Sequence, residues 1–234
     1  MGTQKRTQED ISKEFNVFSA NYTEDMIKCV PYYITLLNAF SQDYPSGFSP
    51  QRILDLGCGN GNVTDQLVSV FPTAEYTLLD ASEDMLKLCE ERFKGFNISF
   101  VKSYFKDFSF SENNFDLIVA GFSLHHCEAV EKQLLFKNIY KSLVSGGVLA
   151  MSDLMINKNH QLHELVKTNW KQLVLSNYPD DEKWQWIMEH YAEFDRPDNL
   201  NDQIVWLETE GFKVHQTLKK EDYWVHLKVK KSKL

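Results

Sequence analysis

Ile53-Leu54-Asp55-Leu56-Gly57-Cys58-Gly59-Asn60-Gly61-Asn62 is the stretch that decides the fold. A short apolar run feeds glycines at alternate positions, which reads as a buried strand ending in a tight turn. Without Cβ atoms, that turn lets the backbone approach a ligand closely. Val63–Phe71 follows as a helix whose first N–H groups are free for an anionic part of the ligand. A dinucleotide fingerprint needs glycine at 57, 59 and 62, but the third glycine is Gly61 and position 62 is Asn. Asp55 also argues against a pyrophosphate, since a carboxylate beside the loop suits a ligand with a cationic end, such as an α-ammonium. Alone, a glycine-rich turn between strand and helix is often only a turn.

Its neighbours change that reading. Glu75–Leu79 is a strand ending at Asp80, 25 residues beyond Asp55. A carboxylate there can bind both hydroxyls of a ribose, with Ala81 and Met85 beside the attached base. Ser82-Glu83-Asp84 caps a helix running to about Phe93. Ile98–Lys102 and Phe115–Ala120 are further strands. Ala129–Leu143 is a helix stopped by Ser145-Gly146-Gly147, and Val148–Leu154 is a fifth strand. Apolar strands alternating with helices imply a parallel sheet covered on both faces, an α/β fold. Asp116 at the head of the fourth strand and Gly146-Gly147 before the fifth strengthen the functional reading of the loop.

Residues 9–40 read as helical, with Phe15, Phe18, Tyr22, Met26, Val30, Tyr33 and Leu37 spaced by three and four and a break at Pro31. Residues 44–50 are a loop. Residues 158–192 form one or two helices carrying Trp170, Tyr178, Trp184, Trp186 and Tyr191. Asn199–Thr209 is a helix ending at Gly211, and Lys213–Leu218 and Tyr223–Lys230 are strands joined by a short hairpin connection. The expected organisation is one domain over 1–234: an N-terminal helical cap (1–45), a core (51–155), a helical lid (156–195), and a C-terminal helix and hairpin (199–231).

Composition narrows the partners. In 234 residues, Lys+Arg number 25 and Asp+Glu 33, a formal charge of −8, which disfavours a broad phosphate-gripping face and makes nucleic acid an unexpected partner. The chain also lacks an Asn/Asp-Pro-Pro-aromatic motif for a flipped base. Lys228, Lys230, Lys231 and Lys233 read as a solvated tail. Cys29, Cys58, Cys89 and Cys127 form no C-x-x-C pair and read as reduced thiols. No signal-type apolar core begins the chain, and no run approaches the roughly 20 residues that span a bilayer. A soluble protein of the cytoplasm is expected.

Taken together, ILDLGCGNGNVT, YTLLDASEDML, FDLIVAGFSLHH and LVSGGVLAMSDL resemble the four successive motifs of class I S-adenosylmethionine-dependent methyltransferases. The resemblance implies a Rossmann-like, seven-stranded, mostly parallel sheet whose last strand, around 223–230, is antiparallel. It also implies S-adenosyl-L-methionine as cofactor and S-adenosyl-L-homocysteine as product. Asp55, Gly57, Cys58 and Gly59 would contact the methionyl part, Asp80 the ribose and Met85 the adenine. Phe122 would flank the methyl-transfer region, and Tyr22 belongs with the same set. Many members carry an acidic residue after strand three for the adenine amino group. Here Lys102-Ser103-Tyr104-Phe105 stands there, so Ser103 or Tyr104 must serve.

Methyl transfer from a sulfonium is an in-line displacement with a very good leaving group. Alignment is the main contribution an enzyme makes, worth about 7–11 kcal/mol as effective molarity. Aromatic faces beside the sulfonium add about 0.5–2 kcal/mol. Ser123, His125, His126 and Asp153, at the ends of strands four and five, are candidates for the far end of the pocket. His125 and His126 are the catalytic candidates, as a base or as orienting groups; packing or loop capping is the alternative. No metal is expected, because consecutive residues rarely point at one ion and no carboxylate–histidine spacing supports one. The aromatic lid implies an enclosed acceptor site, hence a small-molecule acceptor, or else packing of the lid on the domain or on a second subunit of a homodimer.

A narrower resemblance is to the carboxy-S-adenosylmethionine synthase family, which makes a modified cofactor used on tRNA wobble uridines. It rests on Asp25-Met26-Ile27-Lys28-Cys29-Val30-Pro31-Tyr32-Tyr33 and on the layout of the lid. That family holds the extra carboxylate with a lid arginine. Residues 181–188 contain none, and Lys183 lacks the bidentate fork. Small-molecule methylation with the ordinary cofactor is therefore the leading expectation. Carboxy-S-adenosylmethionine synthesis and non-catalytic cofactor binding are the alternatives.

Overall fold

The computed structural model describes residues 21–232. Seven strands form one sheet: β1 (Arg52–Leu56), β2 (Glu75–Asp80), β3 (Ile98–Lys102), β4 (Phe115–Gly121), β5 (Leu143–Leu154), β6 (Phe212–Lys220) and β7 (Trp224–Lys231). Their order is β3-β2-β1-β4-β5-β7-β6. The first five pair in parallel, whereas β7 is antiparallel to both β5 and β6. The chain order reverses between β1 and β4, so their carboxyl ends splay apart into a crevice, the usual ligand position in such sheets.

Helices α1 (Tyr22–Cys29), α2 (Tyr33–Asn38), α3 (Asn62–Val68), α4 (Glu83–Arg92), α5 (Ala129–Ser142), α6 (His163–Asn177), α7 (Glu182–Phe194) and α8 (Leu200–Glu210) cover the sheet. Adjacent strand residues divide between two cores. Ile53, Leu117, Val119, Val148 and Ala150 face one, with Leu36, Leu67 and Trp170; Leu54, Ile118, Leu149 and Met151 face the other, with Phe136, Ile139 and Leu207. This period of two, apolar on both faces, explains why the inner strands read as continuous hydrophobic runs. The β6 edge exposes Lys213 and Lys219, which discourages pairing with another sheet. No helix among the described residues is long and apolar enough to cross a membrane.

The break expected at Pro31 is borne out over the described residues, where two helices are separated as Tyr32 takes φ +58°; Phe15 and Phe18 lie outside the described residues. Several other expectations need correction. Ser145-Gly146-Gly147 does not separate α5 from a strand at 148, because β5 starts at Leu143. Gly146 has φ +82° at a register shift against β4, where the extra residues make a bulge. Asp116 serves the opposite end of the sheet from the crevice: Oδ2 accepts the Gln51 and Arg52 backbone N–H groups at 3.0 and 2.9 Å. The C-terminal lysines are not a solvated tail over the described residues. Lys228 is fully buried in β7, its Nζ donating to the Ala39 and Gln42 carbonyls, both at 2.7 Å, and to Gln216 Oε1 at 3.0 Å. Burial pushes that ammonium down to about 8. The outermost of them, Lys233, lies outside the described residues.

Candidate active site

The glycine loop leaves β1 and folds onto the end of β2: the N–H groups of Gly57 and Cys58 both donate to the Leu79 carbonyl, at 2.8 and 3.0 Å. Gly57 has φ +69°, and a Cβ there would stand 2.6 Å from the Ser123 Cβ. Gly61, at φ +86°, starts α3 against the Phe93 ring, which a Cβ would meet at 2.4 Å. Both positions exclude other residues on conformation and on space.

Asp80 ties this loop to the next. Its Oδ2 accepts Gly59 N–H and its Oδ1 accepts Ser82 N–H, both at 2.8 Å. Burial raises the carboxyl pKa, and the Ser82, Gly59 and Ala81 N–H groups oppose that. Each oxygen keeps a lone pair for a ligand hydroxyl. Asp55 is fully buried; Oδ2 accepts the Thr64 hydroxyl at 2.7 Å, but Oδ1 has no hydrogen-bond partner. Burial lifts its pKa to about 7, with the Thr64 hydrogen bond opposing and the Asp80 charge adding. A buried carboxylate oxygen without a donor costs stability unless something cationic satisfies it.

A cleft of about 720 Å³ opens over this loop, within the range of small-molecule pockets. Nine of the residues anticipated for the cofactor lie on its wall: Tyr22, Gly57, Gly59, Asp80, Ala81, Met85, Ser103, Tyr104 and Phe122. Asp55 and Cys58 do not. The Cys58 thiol is turned onto the Gly59 carbonyl at 3.5 Å, and burial pushes its pKa well up. Phe105, Ser123, His126 and Cys127 complete the wall.

A second cavity, about 950 Å³, shares Tyr22, Phe122 and His126 with the first. Phe122 sits at φ +54°, a conformation that costs a bulky residue about 1–3 kcal/mol, at the point where the two spaces meet. The lid closes the second cavity: Trp170 of α6 and Trp186, Ile187 and Tyr191 of α7 line it with Met26 of α1 and Val30 just after that helix. Trp170 anchors that wall, packing edge-on against Trp184, Tyr191 and Trp224 with centroids 5.8, 5.8 and 5.3 Å away, while Nε1 donates to the Cys29 carbonyl.

The polar groups of this cavity form two sets. Lys183 Nζ lies 2.8 Å from Asp25 Oδ2, and Asp25 also accepts the Tyr178 hydroxyl at 2.6 Å. His125, His126, Asp153, His190 and Asp195 make the other. His125 Nδ1 is 2.6 Å from Asp153 Oδ1. Burial disfavours charge on His125, but Asp153 and Asp195 outweigh it and raise the pKa to about 9. Burial and then the neighbouring His125 lower His126 to about 4. Asp195, despite its burial, is held at about 2 by the histidines. Ser123, also a far-end candidate, instead donates its hydroxyl to the Leu56 carbonyl at 2.8 Å.

His190, Asp195 and Asp25 escaped the sequence reading. They belong to different elements and share no motif, so no local spacing marks them. His190 hides in a helical repeat of aromatic residues.

Residues 53–147 match the family described as Methyltransferase domain. The carboxy-S-adenosyl-L-methionine synthase of Campylobacter lari is 26% identical, over 91% of this chain and 91% of that protein. The trans-aconitate 2-methyltransferase of an Acidovorax species is 38% identical, over 49% of this chain and 43% of that protein. Among solved structures, an O-methyltransferase family protein from Burkholderia thailandensis superposes with a TM-score of 0.72, covering 97% of this chain and 63% of the other at 14% identity, which speaks for the fold alone. Residues 53–147 thus carry a methyltransferase domain of the S-adenosylmethionine-dependent kind, and S-adenosylmethionine is the cofactor.

Proposed function

We propose that this enzyme methylates a small, largely apolar acceptor held in the lid-covered cavity. The observation that carries the proposal is the wall of Tyr22, Phe122 and His126, common to the cofactor cleft and to that cavity. When bound, the cofactor supplies an activated methyl group. Asp80 would hold its ribose hydroxyls, the glycine loop its methionyl end with the charge of the Asp55 carboxylate buried behind that loop, and Met85, Ser103 and Tyr104 its adenine. The aromatic lid excludes water and fixes the acceptor, so that catalysis rests on alignment.

The full-length relationship to carboxy-S-adenosyl-L-methionine synthases favours a second reading. The lid counts against it. Lys183 is neutralised by Asp25. Arg196, the sole arginine between residues 157 and 200, commits Nε to Glu128 and its two terminal nitrogens to the Asp195 and Glu193 carbonyls. Lys183 and Arg196 are thus both already paired and not disposed toward an extra carboxylate.

Two measurements test the proposal. Calorimetric titration should show S-adenosylmethionine and S-adenosylhomocysteine binding one per chain. A panel of aromatic and aliphatic hydroxy, carboxylic and amino compounds should then yield at least one acceptor that releases S-adenosylhomocysteine. Cofactor binding without turnover of any acceptor would support a non-catalytic binding protein. A ligand heavier by one carboxylate, released from protein as purified, would replace the proposal with the synthase reading.

A further inference from the structure

At the lid end of the acceptor cavity, three imidazoles surround one carboxylate oxygen. Asp195 Oδ1 lies 3.3 Å from His126 Nδ1, 3.6 Å from His190 Nε2 and 3.7 Å from His125 Nε2. Asp195 is buried, and Oδ1 has no hydrogen-bond partner among the described residues. These spacings are long for N–H···O bonds. They approach the edges of a coordination shell instead: with bonds of about 2.0–2.1 Å to imidazole and carboxylate, tetrahedral ligand atoms stand about 3.3–3.4 Å apart, which the shortest separation meets and the other two exceed by a few tenths of an ångström. The donor atoms of His125, His126 and Asp195 all fall within 4.8 Å of one another.

The objection that adjacent histidines rarely share an ion is met by the local backbone. A single 3₁₀ turn, Leu124–His126, brings the two rings to a centroid separation of 4.1 Å at 62°. His125 is also oriented as a metal-bound imidazole usually is, with Nδ1 on a carboxylate and Nε2 toward the site. That carboxylate, Asp153, is itself fixed, accepting the His125 and Leu154 backbone N–H groups at 3.0 and 2.9 Å. The Asp195 loop is pinned too: Lys158 Nζ donates to the Asp195 carbonyl at 2.7 Å, and Arg196 N–H to the His125 carbonyl at 2.6 Å.

The geometry points to a site for one divalent transition ion, Zn²⁺ or a chemical neighbour, ligated by His125 Nε2, His126 Nδ1 and Asp195 Oδ1 with His190 alongside. Two histidines and one carboxylate are the protein share of many catalytic sites, which leave a position open. These residues line the acceptor cavity, so the open position suits a hydroxyl or carboxylate oxygen of the acceptor. That role rests on the proposed function; the site itself does not.

The test uses full-length protein without a polyhistidine tag, stripped with chelator and titrated with ZnCl₂ by calorimetry, and with CoCl₂ by visible spectroscopy. One ion per chain is expected, with Kd below about 10 µM and a cobalt spectrum of a low-coordinate, nitrogen-ligated ion. Asp195→Asn and His126→Gln should each weaken binding about 100-fold or more, and Asp153→Asn about 10–100-fold through lost orientation. His215→Ala, an exposed histidine on β6, should change nothing. Folding of each variant is followed by circular dichroism. If the ligand variants do not fold, the stoichiometry and cobalt spectrum of the unaltered protein decide. Substoichiometric binding, or binding that Asp195→Asn leaves intact, overturns the site. Cofactor binding without metal binding removes this inference alone; metal binding without cofactor binding removes the proposed function alone.

Discussion

The two cavities that meet at Phe122 are built by opposite means. The first cleft is made at the ends of neighbouring strands, largely by residues 57–59, 80–85 and 103–105, with backbone N–H groups and the half-buried Asp80 carboxylate doing the shaping. The lid-covered cavity draws on residues from Tyr22 to Trp224, and nearly all of it is side chain presented by helices and loops far apart in the chain. A strand end positions a backbone turn rigidly because the whole sheet holds it. A helical lid positions a side chain only as well as its own packing does.

If the halves are separable, a change in one should spare the other. Trp170→Ala has the largest expected effect, about 3–5 kcal/mol of stability for a buried tryptophan whose ring contacts hold the lid. Because Trp170 is not on the cofactor wall, the S-adenosylmethionine Kd should move less than about threefold on the scale where tenfold is 1.4 kcal/mol. Denaturant melts and calorimetry on one preparation check both halves, and parallel loss of cofactor affinity would break the comparison.

Asp80→Ala should do the reverse. Two charge-assisted hydrogen bonds to a ribose are lost, so cofactor affinity should fall about 100-fold or more. The fluorescence signal of the lid tryptophans in the free protein should stay as it was.

The third expectation concerns pH. In the free protein Asp55 titrates at about 7, and a cationic ligand end favours its ionised form. Cofactor affinity should therefore rise with pH, by at most about tenfold per unit below 7, and level off above it. Asp55→Asn should flatten that slope. For folding alone the sign is opposite. The folded value lies above the unfolded one, so the stability Asp55 contributes is present below about pH 4 and lost as pH rises through about 7. The smallest expected change sharpens the same measurement. Thr64→Val removes the hydroxyl that favours the Asp55 carboxylate, moving the plateau upward by about one pH unit.

How much of this was legible beforehand follows from where each signal lives. The inner strands were readable because a strand buried on both faces must be apolar throughout. β3 begins and ends where its pattern did. The glycine loop was readable because the conformations of Gly57 and Gly61 exclude other residues, and Asp80 because it ends the strand that follows that loop. Gly146-Gly147 misled because a bulge and a helix stop use the same glycines, and only the pairing of β4 with β5 separates them. The lysines of β7 misled because a buried lysine differs from a solvated one only in whether carbonyls surround it.

By itself, the order of residues determined the class of sheet, the cofactor and most of the wall of the first cleft, since those depend on local periodicity and on backbone shapes that few residue types can adopt. Tertiary structure alone decided that Asp195 and His190 of the lid stand beside His125 and His126, that Lys183 is cancelled by Asp25, and that one strained phenylalanine divides two spaces. Such meetings join residues tens to more than a hundred positions apart. No local pattern encodes a distance that only packing sets.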